Sequence, residues 1–564
     1  MSGWDTSNVT NMKSMFSSLG HSATTFSLDL SSWNTSKVTN MSYMFNEAGY
    51  SATTFSLDLS GWDTSKVTNM SYIFNKTGCS ATTYSINGVS DWNTSNVQDM
   101  NHMFFATGNK ATPTFSFNLS SWDTSKVENM SYMFGATGRS AKTYSLNLSG
   151  WNTAKVENMS YMFNNAGDTA TTYSVNISGW NTSKVTNMDS MFMATARKAT
   201  TFSIEGLSSL NTSGATNMSN MFSYFRSGVT RLELDLSSWD TSSVTNMSHM
   251  FYQAGSNVGT YSLDLSGWDT SNVTNMDYMF YQAGSTATTF NLDISSWDTS
   301  KVENMSHMFY AAAESATTFS LDISSWDTSN VKDMSYMFQL FRRNISTSFD
   351  LGISGWNTSS VENMAGMFEE VGFCPNTFNL DLSSWNVSKV KDMSYMFYKV
   401  GYRSTAFNLN LSGWNTGNVT NMSNMFRYAG YDAKTFSLEV DGWDTSSVED
   451  MSYMFCASGC ASYGATTYSL RLTSWDTSNV TNMSYMFSSC KNLSTIYVTQ
   501  NYYGDAMFVT TNVTNSSNMF NNCTNLVGGN GTSYDSSKID ATYARIDGSS
   551  PGYFTFIHSG GASN

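Results

Sequence analysis

Charge is scarce in this chain. Charged residues make up only 13% of 564, about half the usual share, and Ser, Thr and Asn supply the surface polarity instead. The basic side is the poorer one: 28 Lys and Arg against 43 Asp and Glu leave a net charge of −15. Phosphate binding needs a basic stripe, so no nucleic acid partner is expected. No apolar run approaches the ~20 residues of a membrane span, so membrane insertion by this segment is not expected either. Histidine is rare: His21, His102, His249, His307 and His558 are scattered over distant stretches. No serine sits in a nucleophile-elbow context. No catalytic constellation emerges, and the chain is not expected to be an enzyme.

What is present is repetition. All sixteen tryptophans open copies of one phrase, first at Trp4 and last at Trp475. Leu210 fills the one gap in register, and Phe508 heads a degenerate last copy. That makes about eighteen units, mostly 29 or 30 residues apart. A fixed period in this range marks a solenoid whose units bury their apolar faces only against their neighbours. We expect a repeat solenoid over residues 1–520 and a capping segment over 521–564. The chain begins in mid-repeat, since Met1-Ser2-Gly3-Trp4 aligns with Leu59-Ser60-Gly61-Trp62. This start is expected to be the trimmed edge of a longer protein with its own N-terminal cap.

Within one unit, Thr54-Phe55-Ser56-Leu57-Asp58-Leu59 alternates with period 2, the pattern of a half-buried strand. Trp62 then enters the core at a corner. Asp63-Thr64-Ser65 offers short side chains suited to capping a helix. Val67, Met70, Ile73, Phe74 and Thr77 follow at the spacing of one helical face, and Gly78 suits a left-handed stop. The expected fold class is therefore an α/β repeat solenoid of the leucine-rich-repeat plan. One face would carry a parallel β-sheet and the other short helices or 3-10 turns. Asn11, Asn40 and Asn69 align as a buried amide ladder, and the methionine column from Met12 is core filler.

The phrase from Trp475 to Phe487 resembles the repeat of BspA-like, mycoplasma-lipoprotein-type bacterial surface proteins. The ending, with Leu526-Val527-Gly528-Gly529, Tyr543-Ala544-Arg545-Ile546-Asp547 and Pro551-Gly552-Tyr553-Phe554, resembles the segment that closes such arrays. The resemblance implies an extracellular or cell-surface location and adhesion to a host or neighbouring-cell protein or glycan. It implies no cofactor. A structural spacer or fibre segment is the alternative reading. An ice- or crystal-surface binder is a third, motivated by threonine pairs such as Thr24-Thr25 and Thr53-Thr54.

Two features are candidates for binding. Asp235, Asp264, Asp293 and Asp322 occupy consecutive units at the outward end of the strand. Unit charges about 5 Å apart repel by roughly 1 kcal/mol in water, so the row should attract Ca²⁺ or a cationic partner surface. The plain alternative is a solvated face that keeps a long sheet soluble. Phe225-Arg226 and Phe341-Arg342-Arg343 interrupt a loop where Ala-Gly normally stands, and exposed aromatic–Arg pairs resemble interface hot spots. Packing left over from repeat duplication explains them as well. Among the six cysteines, Cys490 and Cys523 should be neighbours on adjacent rungs, either as a disulfide or as two small buried side chains.

Overall fold

The alternation of Thr54–Asp58 produces the strand it foretells. Phe55 and Leu57 are fully buried, while Thr54, Ser56 and Asp58 face outward. A computed structural model describes residues 4–344, 351–373, 376–461, 465–500 and 506–558; Cys374 lies outside them. The chain divides into two compact units, Met1–Val273 with Ala283–Trp297, and Thr274–Gln282 with Asp298–Asn564.

Unit 1 carries β1 (Thr25–Asp29), β2 (Thr54–Asp58), β3 (Thr83–Asn87), β4 (Thr114–Asn118), β5 (Thr143–Asn147), β6 (Thr172–Asn176), β7 (Thr201–Glu205), β8 (Arg231–Asp235), β9 (Thr260–Asp264) and β10 (Thr289–Asp293). Unit 2 carries β11 (Thr318–Ser320), β12 (Thr377–Asp381), β13 (Ala406–Asn410), β14 (Thr435–Glu439), β15 (Tyr468–Arg471), β16 (Leu493–Val498) and β17 (Phe554–Phe556). Pairing is parallel, and equivalent residues stand opposite each other, as Phe26 to Phe55 and Asp29 to Asp58. The result is a parallel β-solenoid of about 16 turns. This is fewer than the eighteen sequence units, in part because the Trp4 copy supplies only the far half of a rung.

Among the described residues the expected helices are absent, and a run of turns replaces them. From Tyr72 to Thr77 the backbone N–H groups alternate between two kinds of partner. Ile73, Asn75 and Thr77 donate three residues back along their own rung, at 3.3, 3.1 and 3.0 Å. Met70, Tyr72, Phe74 and Lys76 donate to carbonyls of the next rung, at 3.1, 3.0, 2.9 and 2.6 Å. Tyr72, Lys76 and Gly78 have φ of 58°, 54° and 52°, the left-handed values that turns of type II place at their third residue. A helix keeps its hydrogen bonds within one segment; this chain spends half of them between rungs. The apolar spacing suits both structures, because turns overlapping every two residues also bring Met70, Ile73 and Phe74 to one side, all fully buried. Asp63 caps a turn, accepting from the Ser65 N–H at 3.0 Å. Described 3-10 turns are confined to Val89–Asp91, Ile353–Gly355 and Ala541–Tyr543.

Tryptophan fastens the corner. In unit 1 the Trp122 and Trp151 rings stack at 6.0 Å, and the Trp151 indole N–H donates to the Leu119 carbonyl of the preceding rung at 2.8 Å. The asparagine ladder differs from expectation. Asn40 and Asn69 are only half-buried, and each Oδ1 accepts the N–H two residues on in its own rung, at 2.9 Å. The bridges between rungs at this position are made by backbone. Near the end of unit 2, Tyr553 and Phe554 are buried against Phe520, with ring centroids 5.2 and 6.2 Å away.

Candidate functional site

Outward strand positions form exposed columns because the register holds from β8 through β10. Asp235 stands opposite Asp264, and Asp264 opposite Asp293, all in unit 1 and all exposed. Asp322 lies in unit 2. Each carboxylate has a local task. Asp235 accepts from the Ser237 N–H and hydroxyl at 3.2 and 2.7 Å, Asp264 from Ser266 at 3.1 and 2.7 Å. Asp293 accepts from Ser295 at 3.3 and 2.9 Å, and Asp322 from Ser324 at 3.0 and 2.7 Å. These serine bonds hold the Asp264 and Asp322 carboxyls below the usual range. Asn147 makes the same cap with Ser149, so capping needs the oxygen and not the charge. Among the described residues no group of three or more His, Cys, Asp or Glu side chains could hold a metal ion. The row offers one carboxylate per rung and no cage.

The arginines sit elsewhere, at the opening end of the strands. Arg226 lies over the Phe202 ring of β7, its guanidinium carbon 4.4 Å from the centroid. Asp235 closes β8, four residues after Arg231. At ~3.3 Å per residue the carboxylate row and Arg226 are separated by about 13 Å along the strand. The two halves of the expected site are not brought together. Nor are the aromatic–Arg pairs exposed: Phe225 and Phe341 are wholly buried, and only the arginines reach the surface.

The repeat explains this packing. Arg226 occupies the left-handed position that Gly255 holds one rung later, with φ of 45° against 55°. A Cβ at the equivalent Gly167 would sit 2.8 Å from the Tyr144 ring. The strand of the Arg226 rung carries Leu232 where most strands carry an aromatic ring. Phe225 supplies the missing ring, meeting Phe202 edge-on at 5.5 Å. In unit 2, Arg342 repeats the arrangement over Phe319, at 4.1 Å.

A second irregularity adjoins Arg226. Strands β4 to β7 form one sheet, and β8 begins another with β9 and β10. The last rung before the break carries one extra residue, Gly206, with φ of 91°. Its Cβ would lie 2.7 Å from the Ser178 backbone, so only glycine fits. The break between β3 and β4 follows the same device, with Gly88 at φ of 85°. A cleft opens at each. At the first, about 300 Å³ is lined by Tyr84, Ser85 and Phe115. At the second, about 390 Å³ is lined by Thr200, Arg226, Gly228, Val229, Thr230, Asn257 and Gly259. The clefts were not anticipated from sequence, though the extra glycines were there to be read.

On the turn side, Tyr43, Tyr72, His102, Tyr132 and Tyr161 form a half-buried stack with centroids 4.4 to 4.5 Å apart. His102 is thus a member of the stack, and burial lowers its pKa to about 4. Cys490 and Cys523 are free and buried, each donating to a carbonyl of the preceding rung at 2.9 Å, as the Thr77 hydroxyl does elsewhere.

Nine overlapping stretches of the chain, 1–86, 50–175, 78–203, 168–283, 229–344, 256–371, 314–431, 340–460 and 428–550, match one repeat family. The chain belongs to the family described as Mycoplasma protein of unknown function, DUF285. That is the mycoplasma part of the resemblance read from the Trp475–Phe487 phrase. No curated protein matches the chain. Among solved structures, the TLR13–ssRNA13 complex is 12% identical, covering 84% of this chain and 79% of that one, with a TM-score of 0.18. The functional domain of InlJ from Listeria monocytogenes is 10% identical over 78% and 74%, at 0.18. The Toll–Spatzle complex of Drosophila is 10% identical over 84% and 57%, at 0.19. TM-scores this low establish nothing further about this chain. No described helix is long and apolar enough to cross a membrane.

Proposed function

We propose that this chain is a non-enzymatic display module of the BspA-like surface type, held outside the cell, which binds a protein or glycan partner through its outward strand face. The observation that carries this reading is the register-locked column of exposed carboxylates at Asp235, Asp264 and Asp293. Their charge is not needed for the turn caps, since asparagine caps the same turn in other rungs. A charge that the fold does not require is available to a basic partner surface or to Ca²⁺. Residues 521–564 close the array in this reading and take no part in binding. Purified chain on glycan and host-protein arrays tests it. The expected result is binding that weakens with salt and is lost when Asp235, Asp264, Asp293 and Asp322 are all changed to Asn. Arrays that stay blank, or a quadruple variant that binds like the parent, would leave a structural spacer.

A further inference from the structure

We propose that the cleft at the β7/β8 break binds the carboxylate of an acidic sugar, with Arg226 as the residue that holds it. The proposal rests on the display reading and adds to it a second, separate site.

Four arginines belong to unit 1, and three of them touch a carboxylate. Arg139 and Arg197 both hold the buried Asp168, at 3.0 and 2.7 Å, and Arg231 pairs with Glu233. Arg226 alone has no carboxylate partner among the described residues. Its Nη1 is buried without a hydrogen bond, and its Nη2 makes one long contact, 3.4 Å to the Arg231 carbonyl. A buried cation left unpaired is costly unless a ligand completes it. The Phe202 ring lies 4.4 Å beneath the guanidinium carbon, and the exposed Nη2 is the nitrogen that a carboxylate can reach, its charge carried on a planar group that Lys lacks.

The walls favour a sugar over a bare anion. Thr200, Thr230 and Asn257 line a space of about 390 Å³, at the lower end of ligand-pocket sizes and suited to one pyranose ring. The Thr200 hydroxyl donates its proton to the Thr171 carbonyl at 3.2 Å, which leaves its oxygen to accept from a sugar hydroxyl. The Asp235 row, about 13 Å away along the strand, lies beyond the ~8 Å screening length of physiological salt and does not repel such a ligand strongly.

The test titrates the full chain with glucuronate and galacturonate, their methyl esters, acetate and inorganic phosphate, followed by ligand-observed NMR and thermal shift. Both sugar acids are expected to bind, and the esters and simple anions to bind at least about tenfold more weakly. Arg226→Lys should weaken sugar-acid binding at least about tenfold, Arg226→Gln should abolish it, and Arg231→Gln should leave it unchanged. Unliganded Arg226→Gln should melt no lower than the parent, since the change removes a costly unpaired charge. Equal binding of acids and esters, equal binding of acetate or phosphate, or full binding by Arg226→Gln would overturn the proposal. Array binding that is lost only in the four-Asn variant, with no sugar-acid binding by the parent, would sink this cleft and leave the display reading standing. Sugar-acid binding with blank arrays would do the reverse.

Discussion

On the strand side of a rung, β5 meets β4 and β6 through extended backbone, with Tyr144 and Leu146 turned inward and Ser145 outward. On the turn side of the preceding rung, Met130, Tyr132, Phe134 and Ala136 also donate to the next rung, at 3.0, 2.9, 2.9 and 2.6 Å. There, however, Tyr132 and Ala136 take left-handed φ of 58° and 56°. Both sides stack by backbone hydrogen bonds, but only the turn side needs conformations that cost L-residues ~1–2 kcal/mol each. It tolerates them because every second N–H gains a partner in the next rung and the Tyr132 and Tyr161 rings stack at 4.4 Å. Stacking between copies can therefore hold a backbone that no isolated segment would adopt.

The largest expected difference between the sides is in the aromatic columns. Tyr144 is wholly buried and its hydroxyl meets that of Thr137 at 2.8 Å. Tyr144→Ala should cost about 3–5 kcal/mol through lost transfer and a cavity. Tyr161→Ala, on the half-buried stack, should cost about 1 kcal/mol. Denaturant unfolding of the two variants checks this, and equal losses would mean that the turn-side stack is as deep a core as the strand side.

A smaller contrast comes from one change made on both sides. Ala136→Gly should stabilise by up to about 1 kcal/mol by relieving the left-handed alanine. Ser145→Gly should destabilise by roughly 0.5–1 kcal/mol, because glycine loses more freedom in a strand. Two shifts of the same sign in thermal melts would contradict the assignment of strain to the turn side.

The smallest effect is a dependence on pH. His102 is held neutral, with its pKa lowered to about 4 by burial between tyrosines, against an unfolded value near 6.5. Below 6.5 the unfolded chain takes up a proton that the folded chain refuses. The contribution of His102 is present above 6.5 and falls away as pH drops toward 4. His102→Tyr should remove that component, seen as a shallower loss of melting temperature over this range. An unchanged profile would show that His102 titrates like an exposed histidine.

Much of the fold was legible in particular residues. Phe55 and Leu57 alternate with Ser56 and Asp58, and a strand results. Trp62, Trp92 and Trp122 recur in step, and they stack. The turn side was misread because Val67, Met70, Ile73 and Phe74 carry a spacing common to a helix and to overlapping turns, and no local signal separates the two. The candidate site was half legible. Asp235, Asp264 and Asp293 do align, whereas Phe225 proved to be core and Arg226 belongs to a cleft at the other end of the strand.

By itself the sequence determined the period, the inward and outward faces of each strand and the identity of every column, because a repeat of constant length places like residues opposite like. Tertiary structure alone decided that the far side is built of turns, since half of its hydrogen bonds run to the next rung and cannot be read within one. It alone decided where the sheet breaks and a cleft opens. One extra glycine, Gly206, becomes an opening only when the rungs on either side must still stack.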